Sequence, residues 1–144
     1  MKTKLFALGA IALSMGLAMP QAFAGSSSVN IEQYGYANGI GGAQKGSRNA
    51  LTVYQRGAYN TAISNQNGSR NKAVIGQAGR RNSATTFQNG RGNIAGVAQF
   101  GSGHTVVTSQ DGSGNAVGVI QAGKNNKANT TQVGRGNIAV IVQD

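Results

Sequence analysis

The sequence predicts an all-β protein, a two-sheet parallel β-solenoid of the cross-β, amyloid type. Three observations lead to this prediction. Glutamine recurs at every eleventh position from Gln33 to Gln143, patterned positions within each unit alternate with variable ones, and a second alternation doubles the period to 22 residues. A repeat of this fidelity indicates stacked structural units rather than one irregular domain.

The N-terminal 24 residues have the features of a secretory signal peptide. Two early lysines precede an apolar run from Leu5 to Met19, and the segment from Ala22 to Ala24 resembles a cleavage site. The apolar run is too short for a comfortable membrane span. We therefore expect a signal peptide at 1–24, a short N-terminal segment at 25–28, a repeat domain at 29–144, and secretion to the cell exterior.

Each unit reads Asn-x-Ala-x-φ-x-Gln-x-Gly-x-x, in which φ is an aliphatic or small residue. Its patterned positions recur every second residue, which is the period of a β-strand, so one strand face carries all of them. Amides can enter the interior because identical amides stacked in register form hydrogen-bonded ladders. The predicted ladder residues are Gln33, Gln44, Gln55, Gln66, Gln77, Gln88, Gln99, Gln110, Gln121, Gln132, Gln143, Asn38, Asn49, Asn60, Asn71, Asn82, Asn93, Asn115, Asn126 and Asn137.

Glycine stands two residues after each of the first ten glutamines, within four residues that have the composition of a turn. Glycine adopts positive φ without steric cost, so we expect a strand of about seven residues followed by a tight turn. The predicted turn glycines are Gly35, Gly46, Gly57, Gly68, Gly79, Gly90, Gly101, Gly112, Gly123 and Gly134.

The φ position alternates between branched aliphatic and mostly hydroxyl residues, as in Ile75, Thr86, Val97 and Thr108. One strand of each kind makes a coil of 22 residues. Like strands then stack on like strands at about 4.8 Å. Eleven strands give two parallel sheets and five and a half coils, an array in which each coil contacts only its neighbours.

Composition excludes several classes of site. The chain has no cysteine, and its one proline lies in the predicted signal peptide, so neither disulfides nor thiolate metal sites are expected. His104 is the only histidine and occupies an Asn position, which predicts a tolerated replacement rather than a metal or catalytic site. We expect no enzyme activity, no cofactor and no metal.

The repeat domain is strongly basic. Eleven Lys and Arg face three acidic residues beyond position 24, a net charge of +8, and most of the cations lie in turns. They keep a monomer soluble and act against premature aggregation. They also suit DNA or acidic polysaccharide, with Arg80, Arg81 and Arg91 as the candidate polymer-binding residues.

These residues resemble the curlin repeat. The segments from Gln88 to Ala95 and from Gln132 to Ala139 match its Gln-x-Gly-x-x-Asn-x-Ala core. The resemblance implies a subunit of curli, extracellular functional amyloid fibres of the cell surface that serve biofilm matrix formation and adhesion. It further implies an outer-membrane export channel and a curli nucleator as partners. Only four residues separate the signal peptide from the first repeat, so the resemblance does not indicate which residues the channel recognises.

Within this family the major, fibre-forming type is favoured over the minor, nucleating type, because the final unit is intact. The most apolar unit ends the chain, and its inward Ala139 and Ile141 are the predicted templating residues for end-to-end stacking. The alternatives are a curli nucleator and a monomeric basic solenoid that binds anionic polymers.

Overall fold

The computed structural model describes residues 26–144. The predicted signal peptide lies outside the described residues, as does Gly25 of the predicted 25–28 segment. Eleven β-strands follow one another: β1 (Ser28–Tyr36), β2 (Gly39–Ser47), β3 (Ala50–Ala58), β4 (Thr61–Ser69), β5 (Lys72–Arg80), β6 (Ser83–Arg91), β7 (Ile94–Ser102), β8 (Thr105–Ser113), β9 (Ala116–Lys124), β10 (Lys127–Arg135) and β11 (Ile138–Gln143).

The strands form two sheets because each strand hydrogen-bonds the next strand but one. The odd-numbered strands make a six-stranded sheet in the order β1-β3-β5-β7-β9-β11, and the even-numbered strands make a five-stranded sheet from β10 to β2. Neighbours are parallel and shifted by 22 residues, so Val53 pairs with Ile75 and Gln55 with Gln77. The predicted two-sheet parallel β-solenoid with 22-residue coils is confirmed.

The strands are longer than predicted. Each of the first ten has nine residues instead of about seven. The ladder continues past the glutamine and through the recurrent glycine, as in the pairing of Gly57 with Gly79. Only two residues then leave the ladder, for example Tyr59 and Asn60. The recurrent glycine is therefore part of the stacked strand and not of a four-residue turn.

A second position of positive φ lies four residues after each of the first ten glutamines. Its φ values run from 53° to 73°, within the left-handed helical region. Six of the ten residues are not glycine, and the sequence pattern gave no sign of this position because its residue type varies. The ten are Ala37, Arg48, Tyr59, Arg70, Arg81, Gly92, Gly103, Gly114, Asn125 and Gly136.

The core is the thin layer between the two sheets, filled by the patterned face of every strand. Ala73, Ile75 and Ala84 are fully buried there, and the small Ala position lets the sheets lie close together. Thr86 is also fully buried, and its Oγ1 donates to Ser64 Oγ at 2.9 Å. The variable positions face outward, as the alternation predicts. The described residues contain no helix long and apolar enough to cross a membrane.

Candidate assembly and binding surfaces

Glutamine side chains form two continuous rows through the core, one in each sheet. In every step of both rows, Nε2 of one glutamine donates to Oε1 of the glutamine 22 residues later, at 2.6–3.1 Å. From Gln44 onward, each Nε2 also donates to a backbone carbonyl 16 residues earlier in the facing strand. The rows therefore tie successive coils together and also tie one sheet to the other.

The asparagines depart from the predicted amide-to-amide ladder. Asn49 Oδ1 accepts the backbone N–H of Asn71 at 3.1 Å, and Asn49 Nδ2 donates to the carbonyl of Gly68 at 3.1 Å. This pattern repeats along both edges. Among the described residues, a direct bond between two of these asparagine amides is found where Asn137 donates to Asn115. Asparagine is one methylene shorter than glutamine, so its amide meets the backbone of the next coil before it meets the next amide.

His104 takes the place of an asparagine and keeps its contacts with the backbone N–H 22 residues later and with the carbonyl four residues earlier, but not the one with the glycine carbonyl of the next coil. Its Nδ1 accepts the backbone N–H of Asn126 at 3.2 Å, and its Nε2 lies 3.1 Å from the carbonyl oxygen of Phe100. An acceptor at Nδ1 leaves the proton of the neutral ring on Nε2, which then donates to that carbonyl. The ring is fully buried. Its role in the structure is that of the asparagines, and the described residues hold no cluster of three or more metal-binding side chains.

The recurrent glycines are required by close stacking as well as by their φ. All ten have φ between 87° and 126°. A Cβ built on Gly57 would lie 1.9 Å from the carbonyl oxygen of Gly79, the glycine of the next coil, so no side chain fits. Gly134 has no such neighbour among the described residues, because it lies in the uppermost coil. The same close approach would recur if a further coil were placed on it.

The two ends of the solenoid present different polar groups. We call the end formed by β10 and β11 the upper end, and the end formed by β1 and β2 the lower end. At the lower end, no donor among the described residues reaches Oε1 of Gln33 or Gln44. At the upper end, Nε2 of Gln132 and Gln143 each make one bond, to a backbone carbonyl, and keep a second N–H for another acceptor. The upper end therefore offers donors where the lower end offers acceptors.

The uppermost strand shows the predicted difference between its two faces. Ala139 and Ile141 are partly buried and pack against the core. Ile138 and Val140 point outward and are 78% and 72% exposed. A further coil on this end would cover the first pair completely and leave the second pair on the outer face.

The three candidate arginines do not form one site. Arg80 is the last residue of β5 and Arg81 follows it, on the edge where odd-numbered strands end, and Arg91 is the last residue of β6, on the opposite edge. Arg81 lies over the ring of Tyr59, with its guanidinium carbon 5.9 Å from the ring centroid. The first edge also brings Tyr36 within 5.4 Å of Tyr59, measured between ring centroids. Arg80 and Arg81 thus belong to a surface with aromatic neighbours that the sequence reasoning missed.

The spacing of the four tyrosines could have revealed this surface. Tyr34 and Tyr54 are separated by close to one 22-residue coil, and so are Tyr36 and Tyr59. The first pair packs with tilted rings and the second edge to face. Their clustering in the first two coils of the six-stranded sheet follows directly from the repeat.

Comparison with known protein families agrees with this architecture. The family model described as curlin associated repeat matches residues 46–79 and 79–107, two adjacent segments within β2–β8. None of the curated proteins compared with the chain matches it.

Proposed function

The chain belongs to the curlin repeat family, and we propose that it is a structural subunit of extracellular curli fibres that grows by end-to-end stacking of its β-solenoid. Its fold and family indicate a structural protein, and the proposal extends this to a place in the biofilm matrix, to surface adhesion and to a cell-surface location. We favour the major, fibre-forming subunit over the nucleator. Export through an outer-membrane channel and growth from a nucleator are part of the same proposal.

The observation that supports stacking most directly is the complementarity of the two ends. Each end exposes the unpaired backbone edge of two strands, and such edges template further strands. The donors of Gln132 and Gln143 at the upper end match the acceptors of Gln33 and Gln44 at the lower end. One sheet has six strands and the other has five, so a second copy continues both glutamine rows when it is rotated by half a turn about the fibre axis, with its β1 on β10 and its β2 on β11. A copy reversed end to end would instead place donors against donors.

The first experiment asks whether residues 25–144 assemble. The purified chain should form fibres that bind thioflavin T and diffract at about 4.7–4.8 Å along the fibre axis and about 10 Å across it. A stable monomer under the same conditions would contradict the proposal and favour a monomeric binding module.

The second experiment uses the two faces of β11 as matched variants. Ile141→Lys would place an unpaired charge between stacked coils, at a cost of several kcal/mol, and should stop growth from the upper end. Val142→Lys adds the same charge one residue away, where it stays in water, and should leave seeded growth close to the native rate. The pair Ala139→Lys and Val140→Lys repeats the comparison. Equal growth rates for the inward and outward variants would remove β11 from the templating role.

A second candidate function, binding of DNA or acidic polysaccharide, is favoured by the excess of cations over acids. The cations lie mainly along the two edges, so stacking of many copies would extend them into two continuous basic rows. Binding of this kind depends on released counterions and weakens steeply as salt rises. It is compatible with fibre formation, because the edges stay exposed when the ends are covered.

A further inference from the structure

We infer that assembled fibres associate side by side through the outer face of the six-stranded sheet, so that the partner on this face is the same face of a neighbouring fibre of this chain. We call this surface the odd face, and the outer face of the five-stranded sheet the even face. The inference rests on the proposed assembly into fibres and adds to it which surface makes the lateral contact.

The two faces differ in composition over the four strands nearest the upper end of each sheet. On β1 and β3 the odd face is mostly polar and includes Glu32. Each strand has three outward positions between its start and its glutamine. On β5, β7, β9 and β11, eleven of these twelve residues are aliphatic or glycine, and Lys72 is the exception. On β4, β6, β8 and β10, three of twelve are apolar, and the others are Thr, Ser, Asn and one Lys. The contrast marks the odd face, because an apolar patch bounded by polar surface is typical of an interaction site.

The odd face is also shaped for contact with another sheet. Its central column contains Gly96 and Gly118, and a Cβ added at Gly118 would meet nothing within 4 Å. Branched side chains stand on both sides of this column, among them the exposed Ile94 and Ile120. The two glycines therefore leave a depression, which Val74 and Val140 close at its ends. An outward side chain of a facing sheet fits such a depression, as side chains do where stacked sheets interdigitate at about 10 Å.

Charge favours a second copy as the partner. A chain with a net charge of +8 beyond position 24 repels its own copies wherever cations face each other. Between the strand start and the glutamine, β7, β9 and β11 place no charged residue on the odd face, and Lys124 lies at the edge, at the end of β9, so two odd faces can meet there without bringing like charges together. The cations lie at the edges, where they remain in water. An anionic polymer or membrane would instead contact those edges.

The size of the face explains why pairing should follow fibre growth. Four strands at about 4.8 Å spacing and five residues at about 3.3 Å give roughly 300–400 Å² per copy. A stable protein interface buries about 800 Å² per partner, so two isolated monomers should not pair through this face. In a fibre with both ladders continuous, successive copies are related by half a turn, so on each side the odd face recurs in every second subunit, and these contacts act together.

The test compares one substitution on each face. Ile120 and Ser109 both point outward immediately before a glutamine, one on the odd face and one on the even face. The measurement is fibre mass per length by scanning transmission electron microscopy, with fibre width by cryo-electron microscopy. Native fibres should have at least twice the mass per length of a single solenoid. Ile120→Lys should lower it to the value of a single solenoid, and Ser109→Lys should leave it unchanged.

A second, milder variant tests the inference even if Ile120→Lys does not assemble. Replacing Ile94, Ile120 and Val140 by Thr keeps β-branched side chains, which suit strands, while it removes the apolar face. This triple variant should also give single solenoids that retain the cross-β reflections.

Native fibres of single-solenoid mass would overturn the inference and leave the proposed function standing. Unpairing by Ser109→Lys but not by Ile120→Lys would also overturn it, because the contact would then lie on the even face. If the native chain forms no cross-β fibres at all, the proposed function itself fails, a result distinct from either of these.

Discussion

Replacing Gly90 by Ala should damage assembly far more than replacing Gly92 by Ala, although both glycines have positive φ. Their φ values are 111° and 67°, and the second lies in the left-handed helical region that Arg81 occupies at the equivalent position with a φ of 57°. A Cβ on Gly90 would lie 2.0 Å from the carbonyl oxygen of Gly112, whereas a Cβ on Gly92 would meet nothing within 4 Å. The two variants separate the cost of an unusual φ from the cost of steric overlap.

The expected magnitudes follow from these contacts. Ala at Gly92 adopts the left-handed region at a cost of about 1–2 kcal/mol. Ala at Gly90 adds backbone strain of about 1–3 kcal/mol and displaces the Gly112 carbonyl from the ladder, which loses one or two hydrogen bonds of about 1 kcal/mol each. We therefore expect a loss of about 2–5 kcal/mol for Gly90→Ala.

The assay is the denaturant concentration that dissolves half of the assembled material, with the thioflavin-T lag time as a second readout. Gly90→Ala, and more strongly Gly90→Val, should lower the first and lengthen the second. Gly92→Asn is the control closest to the native protein, since Asn125 occupies the equivalent position with a φ of 61°. If Gly90→Ala and Gly92→Ala change both readouts equally, close stacking does not explain the recurrent glycine.

Two further predictions concern single positions. His104→Asn should assemble like the native chain. His104→Ala should lower the stability of the assembled state by about 1–3 kcal/mol, because the backbone N–H of Asn126 then has no acceptor. Equal dissolution midpoints for the two variants would contradict this. Replacing Arg80 and Arg81 by Gln should lower the affinity of fibres for DNA or alginate more than replacing Arg91 alone, since two adjacent cations are lost from one edge. It should also make the affinity less dependent on salt. Filter binding at several salt concentrations would show whether the edges differ.

Much of the fold was predictable because the same inward residues make the same contacts in every coil. An inward glutamine such as Gln77 must bond the glutamine above and the glutamine below, so every coil needs the same residue there. The period in the sequence is therefore a direct record of the stacking register. The same reasoning separated the inner from the outer face of each strand, since outward residues have no fixed partner.

The asparagine contacts and the strand ends were less predictable, because they depend on distances of a few ångströms. Asn and Gln carry the same amide, and only the shorter reach of Asn49 directs its amide to the backbone of the next coil. The second position of positive φ accepts Arg70, Tyr59 and glycine alike, so it leaves no signal in residue type. A period recorded in the sequence identifies positions that require one side chain and misses positions that require one backbone conformation.

The outward residues differ between the two sheets, so the eleven-residue unit does not predict which of them are neighbours, whereas the 22-residue coil does. With a period of eleven, Arg81 and Arg70 occupy equivalent positions, and so do Ile120 and Ser109. With a coil of 22, the members of each pair lie on opposite sides of the solenoid. Most inward positions need only the shorter period, because both sheets supply the same Asn, Ala and Gln positions. The inward φ position already follows the longer one, as Ile75 and Thr86 show, and the outward residues follow it as well. The inward amides therefore determine that copies stack, while the alternation of outward residues determines which strands face another fibre and which edge faces an anionic polymer.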